Sequence, residues 1–242
     1  MNLFDKIALS RKKQFAVLVD PDKHQPSGLS KLAGIIQGAG ADYVFVGGSL
    51  LTRDLFERSI RILRDHCDRP IIIFPGGSIQ ISPEADAILF LSLISGRNPD
   101  LLIGRHVESA GLIRDIGLEV IPTGYILVDG GKASSVSYIS NTQPIPSDKS
   151  DIAAATALAG EMLGLRVTYL DAGSGALKPV PEDMIKKVRS VVKTPIIVGG
   201  GIKDVSTAEK AFSAGADLIV VGNSLEKDPS RAFEIAEAAL KF

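Results

Sequence analysis

Four short stretches of the chain carry residue types that chemistry can use. Val198-Gly199-Gly200-Gly201-Ile202 and Val221-Gly222-Asn223-Ser224 each follow an apolar run and lead into a helical pattern. Glycines there let the backbone approach a ligand closely and aim N–H groups at it. A helix start adds partial positive charge, and the combination suits a phosphate. Taken singly, either stretch also reads as a tight turn with no ligand. Tyr169-Leu170-Asp171-Ala172-Gly173-Ser174-Gly175-Ala176 sets an aromatic ring, a carboxylate, a hydroxyl and pliant backbone side by side. Such a carboxylate can accept hydrogen bonds from a polyol or take a proton from an attacking hydroxyl. Ser174 and the glycines around it can bond phosphate oxygens. A helix cap or surface turn is the commoner fate of Asp near Gly. Leu18-Val19-Asp20-Pro21-Asp22-Lys23 offers two carboxylates and an ammonium. Hard oxygens suit Mg²⁺, which binds one or two carboxylates and completes its shell with phosphate oxygens and waters. On its own this last stretch reads rather as an Asx-Pro turn with solvated charges.

All four lie at the ends of apolar runs, and those runs recur. Phe15–Val19, Tyr43–Val46, Ile71–Phe74, Ala87–Leu91, Leu118–Ile121, Val167–Leu170, Pro195–Val198 and Leu218–Val221 are rich in Val, Ile and Leu, as strands buried on both faces are. Helix-like segments alternate with them: Leu29–Gln37, Leu51–His66, Asp100–Ile116, Ile152–Leu163, Glu182–Val191, Ser206–Ala214 and Ser230–Leu240. Alternation of this kind predicts a parallel sheet, and eight units in 242 residues favour a closed (β/α)8 barrel, one domain over residues 1–242. In that fold the loops after the last two strands are the usual phosphate site. Gly76–Glu84 is too short for a good helix, so an irregular segment is expected after the third strand. Pro122–Lys149, rich in Gly, Ser and Pro, predicts a lid or binding loop. Ala39–Leu50 echoes Ala214–Leu225, including Val46-Gly47-Gly48-Ser49-Leu50. That is shared barrel construction or a second anion-binding turn.

Composition narrows the function classes. Net charge is −1 with no basic run, which argues against nucleic acid. The one cysteine, Cys67, allows no internal disulfide and fits a reducing compartment. His24, His66 and His106 lack metal-ligand spacing, so zinc is not expected. The residues from Met1 onward lack the plan of a signal peptide, and apolar stretches such as Ile88–Ile94 are far short of a membrane span. A cytoplasmic location is expected.

As an ordered set, Leu18–Lys23, Val46–Leu50, Tyr169–Ala176, Val198–Ile202 and Val221–Ser224 resemble the geranylgeranylglyceryl phosphate synthase family over essentially the whole chain. The resemblance implies a Mg²⁺-assisted prenyltransferase. It would join the 3-hydroxyl of sn-glycerol 1-phosphate to C1 of a polyprenyl diphosphate, most simply geranylgeranyl diphosphate, with a longer heptaprenyl donor as the alternative. It also implies a homo-oligomer, dimer or hexamer, with at most peripheral membrane contact. By matching motifs, Asp20 and Ser49 take the metal. Tyr169, Leu170, Asp171, Ala172, Gly173, Ser174, Gly175, Gly200, Gly201, Gly222 and Asn223 bind glycerol phosphate. Asp171 and Tyr169 are catalytic, and Tyr125 lines the prenyl channel. The chain departs from the family at Asp171, where Glu is usual, and this touches the assignment of the base. The competing readings are another phosphate-binding barrel, such as a phosphosugar isomerase or thiamin-pathway synthase, and a non-catalytic ligand-binding barrel.

Overall fold

The computed structural model describes residues 1–242, Lys227 by its backbone alone. Eight strands close into a parallel barrel in chain order: β1 (Gln14–Val19), β2 (Tyr43–Val46), β3 (Ile71–Ile73), β4 (Ala87–Leu93), β5 (Glu119–Leu127), β6 (Val167–Asp171), β7 (Ile196–Gly199) and β8 (Leu218–Val221). Closure is made by β1 pairing with β8, with Val17 opposite Val221. Helices α2 (Pro26–Ala39), α3 (Phe56–His66), α4 (Arg105–Ile116), α6 (Ser150–Met162), α7 (Glu182–Arg189), α8 (Val205–Ala214) and α10 (Arg231–Leu240) follow the expected segments closely. The segment between β3 and β4 is irregular, as expected, and a π-helical turn at Asp100–Gly104 leads into α4.

Side chains alternate along a strand, so each strand feeds two cores. Val17, Val44, Ile71, Leu170 and Val198 point outward into the layer shared with the helices. Ala16, Phe45, Ile72, Leu89, Tyr169 and Val220 point inward and fill the barrel. Burial on both faces is why these strands are nearly continuous in Val, Ile and Leu.

Three elements are not evident from the sequence pattern. The short helix α1 (Leu3–Ala8) closes the N-terminal end of the barrel by sending Leu3 and Ile7 into the inner core. Its first N–H groups donate to the Glu119 carboxylate at 2.7 and 2.8 Å, and the Arg166 guanidinium lies 3.5 Å from the centre of the Phe4 ring. β5 runs on through Pro122 and Gly124 to Leu127, because β4 and β6 pair with it along most of that length. Part of the long expected loop is therefore strand. The remainder carries α5 (Ser135–Ile139) and is closed at its base by Asp129 N donating to Ile145 O at 2.9 Å. The short helix α9 (Asn223–Lys227) follows β8 directly.

Candidate active site

The inward register of the strands runs to their C-terminal ends, at the top of the packed interior. There it presents Asp20, Phe74, Tyr125, Tyr169 and Asp171 to a cavity of about 1590 Å³. Pairing of Tyr125 with Tyr169, and of Leu127 with Asp171, fixes the β5 and β6 side chains relative to each other. Phe74 stacks on Tyr169 with ring centres 5.1 Å apart. Tyr125 meets both rings edge-on, at 5.8 and 5.3 Å.

Asp171 is a buried carboxylate with both oxygens engaged. Tyr125 Oη donates to Oδ2 at 2.6 Å, and the Gly173 N–H donates to Oδ1 at 2.7 Å. Burial raises the Asp171 carboxyl above its ordinary range, and these two donors offset that in part. Burial and the neighbouring Asp171 charge push the Tyr125 and Tyr169 phenols well above theirs, so both are hydrogen-bond donors at neutral pH. A carboxylate accepting two hydrogen bonds keeps lone pairs for a third donor, such as a substrate hydroxyl. Gly200 is what allows this packing. Its φ is +76°, and a Cβ there would lie 2.7 Å from Asp171 Oδ1.

The loops after β6, β7 and β8 meet beside this carboxylate. Ser174 Oγ donates to Asn223 Oδ1 at 3.0 Å, Lys23 Nζ donates to the same oxygen at 3.2 Å, and Ser224 Oγ donates to Ile202 O at 3.3 Å. Two donors on Asn223 Oδ1 fix the amide orientation and turn its NH₂ toward Gly175. Gly175, Gly200, Gly201, Gly222 and Asn223 all line the cavity, as a backbone cradle for a phosphate requires.

Asp20 stands across the mouth. It caps the turn Pro21–Lys23 by accepting from Asp22 N at 3.1 Å, so the turn reading of this stretch is also realised. Burial raises its carboxyl, against the hydrogen bond from Asp22 N and the Lys23 ammonium 3.7 Å away. Asp22 has a different task. It accepts from Thr52 N at 2.6 Å and Thr52 Oγ1 at 2.8 Å, tying the β1 loop to the β2 loop. Desolvation pushes its carboxyl up, but the Thr52 bonds and Arg53 outweigh this and hold it low. Gln80, buried in the irregular segment, accepts from Gly48 N and Gly76 N at 3.2 Å each and donates to Gly48 O at 2.8 Å. It thereby fixes the backbone beside Ser49.

Of the residues singled out from the sequence, Asp20, Ser49, Tyr125, Tyr169, Asp171, Ser174, Gly175, Gly200, Gly201, Gly222 and Asn223 surround one cavity. Leu170, Ala172 and Gly173 are not among its lining. Strand alternation sends Leu170 into the outer core, Ala172 packs in the same layer, and the Gly173 N–H is occupied by Asp171. Tyr125 does line the cavity, but its hydroxyl is committed to Asp171. Sequence reasoning missed Phe74, Gln80 and Lys132. Phe74 alone had a readable signal, as the inward position two residues after Ile72 at a strand end.

The chain matches the PcrB family over residues 8–240. It is 55% identical over 226 residues to the geranylgeranylglyceryl phosphate synthase of Chitinophaga pinensis, covering 93% of this chain and 90% of that protein. It is 50% identical to the synthase of the same name from Spirosoma linguale, covering 100% and 97%. Its fold superposes with a TM-score of 0.95, at 31% identity and over the full length of both chains, on the crystal structure of (S)-3-O-geranylgeranylglyceryl phosphate synthase from Thermoplasma acidophilum in complex with sn-glycerol-1-phosphate.

Proposed function

The chain belongs to the PcrB family, and on that premise we propose that it is a prenyltransferase joining the 3-hydroxyl of sn-glycerol 1-phosphate to C1 of geranylgeranyl diphosphate, with release of diphosphate. The observation that carries the reading is the buried Asp171 carboxylate, held by Tyr125 and Gly173, next to the cradle formed by Ser174, Gly175, Gly200, Gly222 and Asn223. That arrangement fits a polyol phosphate: the phosphate on backbone N–H groups and the Asn223 NH₂, a free hydroxyl on Asp171.

Asp171 accepts the hydrogen bond of the 3-hydroxyl and so aims an oxygen lone pair at the donor carbon. As the new C–O bond forms, the allylic C–O bond breaks. The bonding pair leaves with diphosphate, and the hydroxyl proton passes to Asp171 or through it to water. Leu91, Leu93, Leu101 and Val136 provide an apolar wall for the isoprenoid chain and exclude water from the reacting carbon. Covalent catalysis is unnecessary, and Cys67 is buried in the outer core.

The residues fit Mg²⁺. Among the described residues no group of three His, Cys, Asp or Glu side chains could hold a metal, so a cage built wholly of protein ligands is not available. A half-buried Asp20 against Gly48, the residue before Ser49, with Ser49 lining the same cavity, is the sparse oxygen donor set that Mg²⁺ shares with phosphate oxygens and water. Asp20 and Ser49 would hold the ion, which when bound neutralises charge developing on the diphosphate.

The test is incubation with sn-glycerol 1-phosphate, Mg²⁺ and labelled geranylgeranyl diphosphate, then organic extraction. Label is expected in a prenylglyceryl phosphate ether. Recovery as free prenyl alcohol alone, or as unreacted diphosphate, would refute the reading.

A further inference from the structure

The segment after β5 contains Gly130-Gly131-Lys132-Ala133-Ser134, which the reaction as described above does not use. It is clamped onto the β6 loop on both sides of Lys132. Leu177 N and Lys178 N donate to Gly130 O at 2.9 and 3.1 Å. The two backbones are so close that a Cβ at Gly130 would lie 2.5 Å from Ala172 O, and one at Gly173 would lie 2.8 Å from Ser134 Cβ. Between these two contact points Lys132 reaches back over Gly175. A Cβ built there would lie 3.3 Å from Lys132 Nζ and 3.3 Å from Asn223 Nδ2. Three loops thus bring an ammonium and an amide NH₂ to one spot, with the Ser174 hydroxyl bonded to that same amide.

The other cations lining the cavity are already engaged. Lys23 serves Asn223 and Glu226, Lys203 donates to Leu177 O, Arg105 pairs with Glu108, and Arg231 pairs with Asp228 and donates to Lys203 O. Among the described residues Lys132 has neither a hydrogen bond nor an ion pair from its side chain. An ammonium without a counter-charge, on a backbone fixed at both flanks and facing a concave group of donors, is arranged for an anion.

We propose that Lys132 is a phosphate ligand of the acceptor site, its ammonium closing over the phosphate of glycerol phosphate opposite the glycine turns. This rests on the acceptor assigned above. It makes the loop after β5 part of the substrate site and supplies the charge that the neutral cradle lacks.

The experiment is Lys132→Gln beside Lys132→Arg. With saturating donor, Lys132→Gln should raise KM for sn-glycerol 1-phosphate about tenfold to a hundredfold, the usual weight of one charge-assisted hydrogen bond. KM for the donor should stay unchanged. The climb of acceptor KM with ionic strength should flatten in Lys132→Gln, because a screened attraction has been removed. Lys132→Arg should recover most of the loss. Titration calorimetry with sn-glycerol 1-phosphate alone reads the same contact without turnover, so failure of the prenyl-transfer reading would leave this result intact and separately legible. Unchanged acceptor affinity in Lys132→Gln, a rise confined to donor KM, or equal losses in Gln and Arg variants would each overturn the proposal.

Discussion

At the scale of single residues, Asp171 is the group on which the proposed reaction turns. Asp171→Asn keeps the volume but leaves one carbonyl oxygen for two donors, Tyr125 Oη and Gly173 N–H, so one is orphaned as the charge is lost. Turnover should fall by about 10²–10⁴-fold, the range for loss of a general base, and KM for glycerol phosphate should rise with it. Steady-state kinetics at saturating donor checks both. Asp171→Glu, which restores the residue usual in the family it resembles, should keep most of the activity. Because burial raises the carboxyl, its charged form is lost on the way down in pH before an ordinary aspartate, of pKa 3.8, would lose it. In the free enzyme kcat/KM should therefore fall off on the acid side at a pH above that value, and this limb should vanish in Asp171→Asn. Glycines can be separated in the same way. A Cβ at Gly222 meets Leu18 at an ordinary 3.5 Å, whereas one at Gly200 collides with Asp171. Gly222→Val should fold, with parental circular dichroism and a lowered melting temperature, since the ψ of −89° at Gly222 strains a β-branched residue, and show a strongly raised KM for glycerol phosphate. The places of Tyr169, Asp171 and Asn223 at the cavity were legible because each ends an apolar run. Lys132 and Gln80 were not, because what they do depends on loops far apart in sequence coming into contact.

At the scale of elements, the residues of the strand-end loops divide into those that face the cavity and those that hold another loop. The turn after β1 contains both kinds. Asp20 faces the cavity, while Asp22 is spent on Thr52 and Arg53 of the next loop. Asp20→Ala should abolish prenyl transfer and weaken diphosphate binding while leaving glycerol phosphate binding in place. Asp22→Ala should loosen the loop after β2 and lower thermal stability more than turnover. Binding titrations with each substrate, beside melting curves, distinguish the two, and a silent Asp20→Ala with a dead Asp22→Ala would mean the wrong carboxylate was assigned. Strand positions were readable almost to the residue, since burial on two faces leaves little freedom of composition. β5 was cut short by Pro122 and Gly124, residues that argue locally for a loop. Pairing with both neighbours overrides that preference and carries Tyr125 to its place opposite Tyr169.

At the scale of the whole molecule, the barrel follows from eight alternating units, but its floor does not. Helix α1 is only six residues long, too short to show a clear period, and its hold on the barrel depends on Glu119 and Arg166, more than a hundred positions away. Leu3 and Ile7 seal the N-terminal end. With that end packed shut, the cavity at the C-terminal ends of the strands is the well that the proposed reaction uses, and acceptor, donor, diphosphate and finished lipid would all pass its doorway. Three of these four dissolve or disperse readily on their polar heads. The ether product has traded its diphosphate for a single phosphate, so it enters water more reluctantly than the donor from which it was made. Traffic should then be governed by how quickly that product is carried off. Adding phospholipid vesicles or mild detergent as a sink should speed steady-state turnover and leave the first turnover unchanged, as rapid-quench measurements would show. Equal rates with and without the sink would place the slow step inside the well and not at its doorway.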